Sequence, residues 1–153
     1  MNVPFRVLGV RLDQVEQGVL LFDDLQKLAQ KYDIRYTGVM IENYEDVVNQ
    51  TEPVRQADTT QFRYFGGMLL QMGGELGFHG YNHMPLCLEG VDENKKYGEY
   101  RLWKSEQDMV AAIRELRAFS EELFPDNEFC VYVPPSNILS EEGRRILLET
   151  DPQ

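Results

Sequence analysis

The chain's two histidines, His79 and His83, lie four residues apart in the segment 73–86, which reads GGELGFHGYNHMPL. Imidazole is the commonest neutral metal ligand, and two histidines at this spacing can bind one ion from a helix or from a tight loop. Gly80 and Asn82 favour turn geometry, so the pattern predicts a loop. The same spacing also fits two ordinary polar loop residues, and the neighbouring elements must decide between these interpretations.

Apolar patterns on both sides of this segment predict strands that alternate with helices. Buried strands are predicted at 5–12, 35–41, 75–78 and 129–133, and helices at 21–32, 62–72, 105–123 and after Ser140. Ser105, with Asp108 three residues later, matches a helix cap. Strands alternating with helices form βαβ units around a parallel sheet, so the sequence predicts an α/β fold with about four β/α units.

Polar side chains follow three of the predicted strands. They are Asp13 and Gln14, then His79 and His83, then the segment 134–137. Since sites in parallel sheets gather at the carboxyl ends of the strands, we expect these groups to share one face. An acid beside two histidines suffices for a metal-bound water and a general base. Without the histidines, Asp13 reads equally well as a helix cap or turn residue.

Composition and charge bound the function classes. The chain has 153 residues, of which 42% are hydrophobic, and we expect a single domain over 1–153. Its 26 acidic and 15 basic residues give a net charge of -11, which repels phosphate backbones. We therefore expect no nucleic-acid partner.

Membrane and disulfide signals are weak. No apolar stretch approaches the roughly 18 residues of a membrane-spanning helix, and residues 1–10 lack the pattern of a signal peptide. Cys87 and Cys130 are too few for a disulfide framework, although a single bridge between them stays open. We expect no membrane span in this chain.

The histidine segment resembles the second motif of the polysaccharide deacetylases of the NodB-homology class, carbohydrate esterase family 4. That motif reads Glu-Ile-Gly and then His-(Ser/Thr)-x-x-His, and this chain has Glu75, Leu76, Gly77, His79 and His83 in the same order. Gly80 departs from the motif at the Ser/Thr position. The resemblance implies that the two histidines bind a divalent metal, with zinc as the first expectation.

The resemblance also implies a substrate and further roles. The expected partner is carbohydrate, an N-acetylated sugar or polysaccharide, and Asp13 would take the proton of the attacking water. The residues expected to line the substrate cleft are Tyr81, Pro135, Ser136 and Asn137. The predicted insertion 87–104 contains three aromatic residues that would either stack on a sugar ring or pack over the mouth of the fold, namely Tyr97, Tyr100 and Trp103.

The outer motifs of the family are altered here. Where the family has paired aspartates this chain has Asp13 and Gln14, so an amide stands at the position of a metal-binding carboxylate. If Asp13 instead takes the ligand position, the base is missing. At the third motif, of Arg-Pro-Pro-Tyr type, the two prolines match, whereas Val133 and Ser136 replace the arginine and the tyrosine.

The resemblance implies a distorted barrel of about seven β/α units, of which about four are expected here. We therefore expect either a fragment of a larger barrel or an open-sheet relative, from a divergent bacterial branch of the family. The resemblance is compatible with the cell envelope or export, and the sequence itself assigns no compartment. Two functions follow: a metal-dependent deacetylase, or a catalytically inactive deacetylase-like module that binds carbohydrate or a partner protein. A third hypothesis, an interaction domain with incidental histidines, is disfavoured by the ordered motif match.

Overall fold

The computed structural model describes residues 15–42 and 59–151, in which helices and strands alternate. In chain order the elements are α1 (Val15–Tyr32), β1 (Thr37–Glu42), α2 (Thr59–Gln71), β2 (Glu75–Tyr81), a 3-10 helix (Asp92–Tyr97), α3 (Glu106–Leu123), a 3-10 turn (Pro135–Asn137) and α4 (Glu141–Thr150). The predicted strand 5–12 and the two candidate residues after it, Asp13 and Gln14, lie outside the described residues.

The sheet is parallel, as predicted. β1 pairs with β2 so that Thr37 lies opposite Glu75 and Met40 lies opposite Phe78. Because α2 connects these two strands, they form one βαβ unit. β2 is buried from its second residue to its sixth, as expected for a parallel strand that is covered on both faces. The α/β fold class is therefore confirmed.

β2 continues beyond the predicted end at residue 78 and includes His79. The prediction that places His79 in a loop is therefore wrong, whereas His83 does lie in the turn that follows the strand. The strand persists because Glu42 of β1 still pairs with Tyr81, across an irregularity in the ladder.

The predicted strand 129–133 is reduced to one parallel bridge, between Tyr132 and Phe78 of β2. The Phe78 N–H donates to Val131 O at 2.8 Å, and the Val133 N–H donates to Phe78 O at 2.9 Å. Earlier in β2, the side-chain amide of Asn127 bonds both the N–H and the carbonyl of residue 76 in place of a strand neighbour. Two prolines follow at 134–135 and supply no N–H, so the ladder cannot extend in either direction.

Two clusters of buried side chains hold these elements together. The first lies between the sheet and helices α1, α2 and α3, and it contains the stacked rings of Phe78 and Phe129 at 4.9 Å. The second lies beside α3 and α4 and includes Met84, Leu86, Trp103, Met109, Ile113 and Ile146. The caps of both helices are side-chain oxygens, since Ser105 accepts from the Asp108 N–H and Ser140 from the Gly143 N–H, each at 3.1 Å.

The segment 87–104 packs onto the second cluster. Trp103 is only 8% exposed, its backbone N–H donates to Cys87 O at 3.0 Å, and its backbone carbonyl accepts from the Glu89 N–H at 2.7 Å. The indole ring therefore belongs to the core and is not presented for stacking on a sugar. Trp103 therefore packs within the second cluster, which agrees with the packing interpretation and not with stacking on a sugar.

Both cysteines are free thiols, Cys87 buried and Cys130 exposed. Among the helices in 15–42 and 59–151, none combines the length and apolarity needed to cross a bilayer.

Candidate functional site

His79 is fixed at the carboxyl end of β2 by a backbone carbonyl. The residue is 2% exposed, and its Nδ1 atom lies 2.7 Å from the carbonyl oxygen of Val133. Because a carbonyl only accepts hydrogen bonds, Nδ1 must carry the proton, which leaves the lone pair of the neutral ring on Nε2. Metal-binding histidines are typically held in this way, with the second ring nitrogen donating to a carbonyl or carboxylate.

His83 lies beside His79 at a separation that suits one shared ion. The ring centroids are 5.2 Å apart, with 60° between the ring planes. At the usual Zn–N length of about 2.0–2.1 Å each centroid lies roughly 3.2 Å from a zinc ion, so two rings at a tetrahedral angle have centroids about 5 Å apart. The distance between the two rings therefore matches that of two ligands on one tetrahedral ion.

The turn that presents His83 has unusual backbone geometry. Asn82 and His83 both have φ of 52°, in the left-handed region that is uncommon for residues other than glycine. The Met84 N–H closes the turn by donating to Tyr81 O at 3.0 Å. Such geometry is maintained only where the surrounding structure enforces it, and it clusters at functional sites.

The segment 134–137 lies directly against the end of β2. Pro135 is fully buried, and Gly80 approaches it so closely that a Cβ atom on the glycine would lie 2.7 Å from the proline Cγ. Ser136 and Asn137 follow with left-handed φ values of 52° and 60°. The structure thus brings the predicted second and third groups of site residues to one end of the sheet, where Asn137 is exposed and Ser136 is partly exposed.

Tyr81, predicted to line the cleft, is partly buried and packs on the second cluster. It borders a small recess whose other walls are Gly80, Leu86, Trp103, Ala112, Ile113, Leu116 and Tyr132. The hydroxyl of Tyr132 and the indole Nε1 of Trp103 are buried here and have no hydrogen-bond partner within the described part of the chain. Burial raises the pKa of Tyr132 far above its usual range, so this phenol stays neutral.

The described residues contain two candidate metal ligands, His79 and His83. No group of three histidine, cysteine, aspartate or glutamate side chains within 15–42 and 59–151 is arranged to hold an ion. A zinc site with catalytic activity uses three protein ligands. The candidates for the third ligand and for the base, Gln14 and Asp13, are outside the described residues, so their predicted roles stay predictions.

Sequence reasoning missed a polar network that holds the segment 87–104 onto the first turn of α4. Asn94 is 2% exposed, and its amide donates both to Leu88 O at 3.0 Å and to the carboxylate of Glu142. The Leu88 N–H also donates to Glu142, at 3.3 Å. No spacing pattern predicts this contact, because its members come from two segments about 50 residues apart in the sequence.

Electrostatics at this network favour ionised Glu142. Burial alone would raise the pKa of the carboxyl group, but hydrogen bonds from Asn94, the backbone and Ser140 outweigh it and lower the pKa overall. At neighbouring Cys87, burial dominates and raises the pKa, so the thiol stays protonated at neutral pH. This cysteine is therefore not an activated nucleophile.

Comparison with known proteins agrees with the fold. Residues 20–153 match the family described as "Uncharacterised protein conserved in bacteria (DUF2194)". No curated protein sequence matches the chain. Among solved structures, wild-type BA3943, a CE4 family pseudoenzyme from Bacillus anthracis, has a TM-score of 0.61 and 13% sequence identity, with 97% of this chain and 39% of that chain covered.

A mutant of BA3943 gives the same TM-score and identity and is covered over 40% of its length. This chain therefore spans about two fifths of the solved structures that it matches. At this identity the likeness concerns the fold alone. It confirms that the resemblance to carbohydrate esterase family 4, first seen in the histidine motif, extends to the three-dimensional structure.

Proposed function

This chain belongs to the bacterial family DUF2194, and on that premise we propose that it is a deacetylase-like module that binds a divalent metal ion and carbohydrate without deacetylating it. The observation that carries the proposal is the pair of imidazoles at the end of β2, with Nδ1 of His79 held by Val133 O and the His83 ring 5.2 Å away. The β/α units are proposed to be part of a larger, distorted barrel.

His79 and His83 would hold the ion, most simply zinc, through ring nitrogens. Val133 would fix the His79 ring by its carbonyl, so the ring does not have to be ordered when the ion binds. In the resembling family the ion's chemistry is polarisation of an acyl carbonyl and activation of water. In this chain Gln14 stands at the position of a carboxylate ligand, and a neutral amide binds a divalent cation more weakly than a carboxylate does.

Carbohydrate would bind beside the histidines, on the exposed parts of the turn 134–137 and on Tyr81. Ser136 and Asn137 offer a hydroxyl and an amide that can pair with sugar hydroxyls. This assignment rests on the resemblance and on the position of the turn against β2. The same resemblance suggests action in the cell envelope or outside the cell.

Loss of catalysis follows from the third motif. Val133 and Ser136 stand where the family has an arginine that orients the base and a tyrosine. Val133 supplies only its backbone carbonyl to the site, and Ser136 has a much shorter side chain than tyrosine. That the structurally similar BA3943 is a CE4 family pseudoenzyme supports this interpretation as an analogy between folds.

An active metal-dependent deacetylase of N-acetylated sugars is the second candidate. It is favoured by the retention of Asp13 and by the coverage of only 39% of the BA3943 chain, since residues of a longer barrel would then complete the site. The two candidates differ in one measurable property, the release of acetate.

Metal content and activity test the proposal together. We expect about one zinc per wild-type chain by elemental analysis, and an affinity at least about tenfold weaker for His83→Ala in calorimetric titration with Zn²⁺. His83 is the better first variant because His79 is buried in the fold. Circular dichroism would confirm that the variant is folded.

Two outcomes contradict parts of the proposal. Absence of stoichiometric metal from the wild-type chain would remove the metal site. If the wild-type chain releases acetate from N-acetylated oligosaccharides and the double variant His79→Ala/His83→Ala does not, the protein is an active deacetylase and the proposal of a non-catalytic module is wrong.

A further inference from the structure

Gly80, between the two histidines, sits in a conformation and a space that only glycine fits. Its φ is 83°, in the left-handed region, and its missing Cβ would lie 2.7 Å from Cγ and 3.2 Å from Cδ of Pro135. Any side chain at this position would therefore have to displace the proline ring or the backbone of β2. The family motif has Ser or Thr here, whereas the two prolines of the third motif are shared, so at this contact it is the glycine that distinguishes this chain.

Pro135 has little freedom to retreat. On one side the Val133 N–H is bonded to Phe78 O at 2.9 Å. On the other side the Asn137 N–H donates to Pro134 O at 3.1 Å, and the Ile138 N–H donates to Pro135 O at 3.0 Å. The proline ring itself is fully buried. A Cβ atom that displaced this ring would therefore also displace the backbone of the segment 133–138.

That backbone segment carries the carbonyl that orients His79. Val133 O, which accepts the hydrogen bond from Nδ1 of His79 at 2.7 Å, lies only two residues before the proline. In the chain, Gly80 follows His79 directly and is followed by the turn that presents His83. The contact between Gly80 and Pro135 therefore joins the strand that carries His79 to the segment that carries the carbonyl of Val133.

We propose that Gly80 is a positioning residue of the metal site: its contact with Pro135 sets the distance between β2 and the segment 133–138, and so the orientation of the His79 ring. The inference rests on the proposed metal-binding function. Gly80 itself offers no side chain to an ion, and it acts only through the two histidines.

The test is a set of three variants. Gly80→Ala adds the clashing Cβ, Gly80→Ala/Pro135→Ala removes the Cγ and Cδ atoms that it would meet, and Gly90→Ala is the matched control. Gly90 has a similar φ of 81° but has nothing within 4 Å of its missing Cβ. Both alanine variants therefore place a side chain at a positive φ, and only Gly80→Ala also brings its Cβ against the site.

We expect Gly80→Ala to weaken Zn²⁺ affinity by about tenfold or more, as is typical when the groups that orient metal ligands are disturbed. The double variant should recover most of this loss, and Gly90→Ala should bind as wild type does. Equal affinity of Gly80→Ala and wild type would overturn the inference, as would a loss that removal of the proline ring does not reverse.

A second measurement does not depend on the metal. The ¹⁵N chemical shifts of the His79 ring in the metal-free protein report which nitrogen carries the proton. We expect a protonated Nδ1 in wild type and in Gly90→Ala, and a mixture of tautomers in Gly80→Ala. If the wild-type chain binds no zinc but these shifts change as expected, the metal function fails while the positioning role of Gly80 stands. Unchanged shifts would refute the positioning role.

Discussion

The carbonyl oxygen of Val133 lies 2.7 Å from Nδ1 of His79, so a backbone atom holds this nitrogen of the buried imidazole. In the resembling deacetylases, the position of Val133 carries an arginine with a role of its own. Here the side chain at this position is partly buried and apolar. The orienting hydrogen bond is therefore independent of the residue type at position 133, provided that the backbone stays in place.

Replacing Val133 by alanine should leave the His79 tautomer unchanged. The carbonyl is retained, so we expect a protonated Nδ1 in the ¹⁵N spectrum of the variant and a zinc affinity within about twofold of wild type, far from the 10–100-fold losses caused by removing an orienting partner. A ring protonated on Nε2, in either protein, would contradict the hydrogen bond on which the site is built.

Substitutions at His83 should separate backbone strain from metal binding. Because φ is 52° at this residue, we expect His83→Gly to be more stable than His83→Ala by about 1 kcal/mol, the reverse of the usual order of alanine and glycine. Urea unfolding measures the difference, and both variants should lose zinc affinity equally. A more stable alanine variant would show that the turn is not held in the left-handed conformation in solution.

Tyr132→Phe should stabilise the protein. The buried hydroxyl has no hydrogen-bond partner within the described part of the chain, so its removal relieves a desolvation penalty of about 1 kcal/mol or more. Denaturant unfolding at pH 7 measures this gain. An equal or lower stability of the variant would indicate that the hydroxyl is satisfied in solution.

Tyr132→Phe should also change how the stability of the protein depends on pH in the alkaline range. Since burial raises the pKa of Tyr132 above the value of about 10 for an exposed tyrosine, above that pH the unfolded chain ionises while the native phenol does not. The ionisation of Tyr132 therefore leaves the free energy of unfolding unchanged below about pH 10 and lowers it as the pH rises further. Tyr132→Phe should lose less stability between pH 9 and 11, with a remaining fall from Cys87, whose pKa is also raised. Parallel curves for the two proteins would contradict this assignment.

Glu142→Gln should lower stability at neutral pH and remove a part of the acid sensitivity. The native state lowers the pKa of this carboxyl, so its contribution is present above the unfolded value of about 4.5 and is lost as the pH falls below it. The variant keeps an oxygen that can accept from Asn94 but loses the charge, and we expect a loss of up to about 1 kcal/mol at pH 7.

The neighbouring Glu141 provides the control for this change. Glu141→Gln removes the same charge from the same first turn of α4, but the side chain is exposed and its ion pair with Arg144 is 3.6 Å long. We expect a smaller effect on unfolding at both pH 4 and pH 7. Identical pH profiles of the two variants would show that the Asn94 network contributes nothing specific.

The sequence predicted elements well where their signals are local. The apolar stripe and the Ser105 cap located α3, and the alternation of strands and helices gave the parallel pairing of β1 and β2. The sequence did not predict strand ends correctly where these ends depend on the pairing partner. β2 runs on through His79 because Glu42 pairs with Tyr81, and the segment 129–133 forms a single bridge because Asn127 and two prolines limit its ladder.

The candidate site shows the same division. The motif identified His79 and His83, and the strand pattern predicted that the segment 134–137 would lie at the same end of the sheet, as it does. The burial of Trp103 and the network of Asn94 with Glu142 could not be read from spacing. Both depend on segments that are remote in sequence and meet only in the folded chain.

By itself, the sequence determined that two histidines lie four residues apart near the end of one strand, a spacing that suits one ion, because strand patterns and motif spacing are local properties. Only the tertiary structure decided how those rings are held. The carbonyl that fixes the tautomer of His79 belongs to a residue 54 positions later, and the proline that requires a glycine between the histidines lies in the same remote segment. Such contacts arise from parallel pairing between distant segments, which no local pattern encodes.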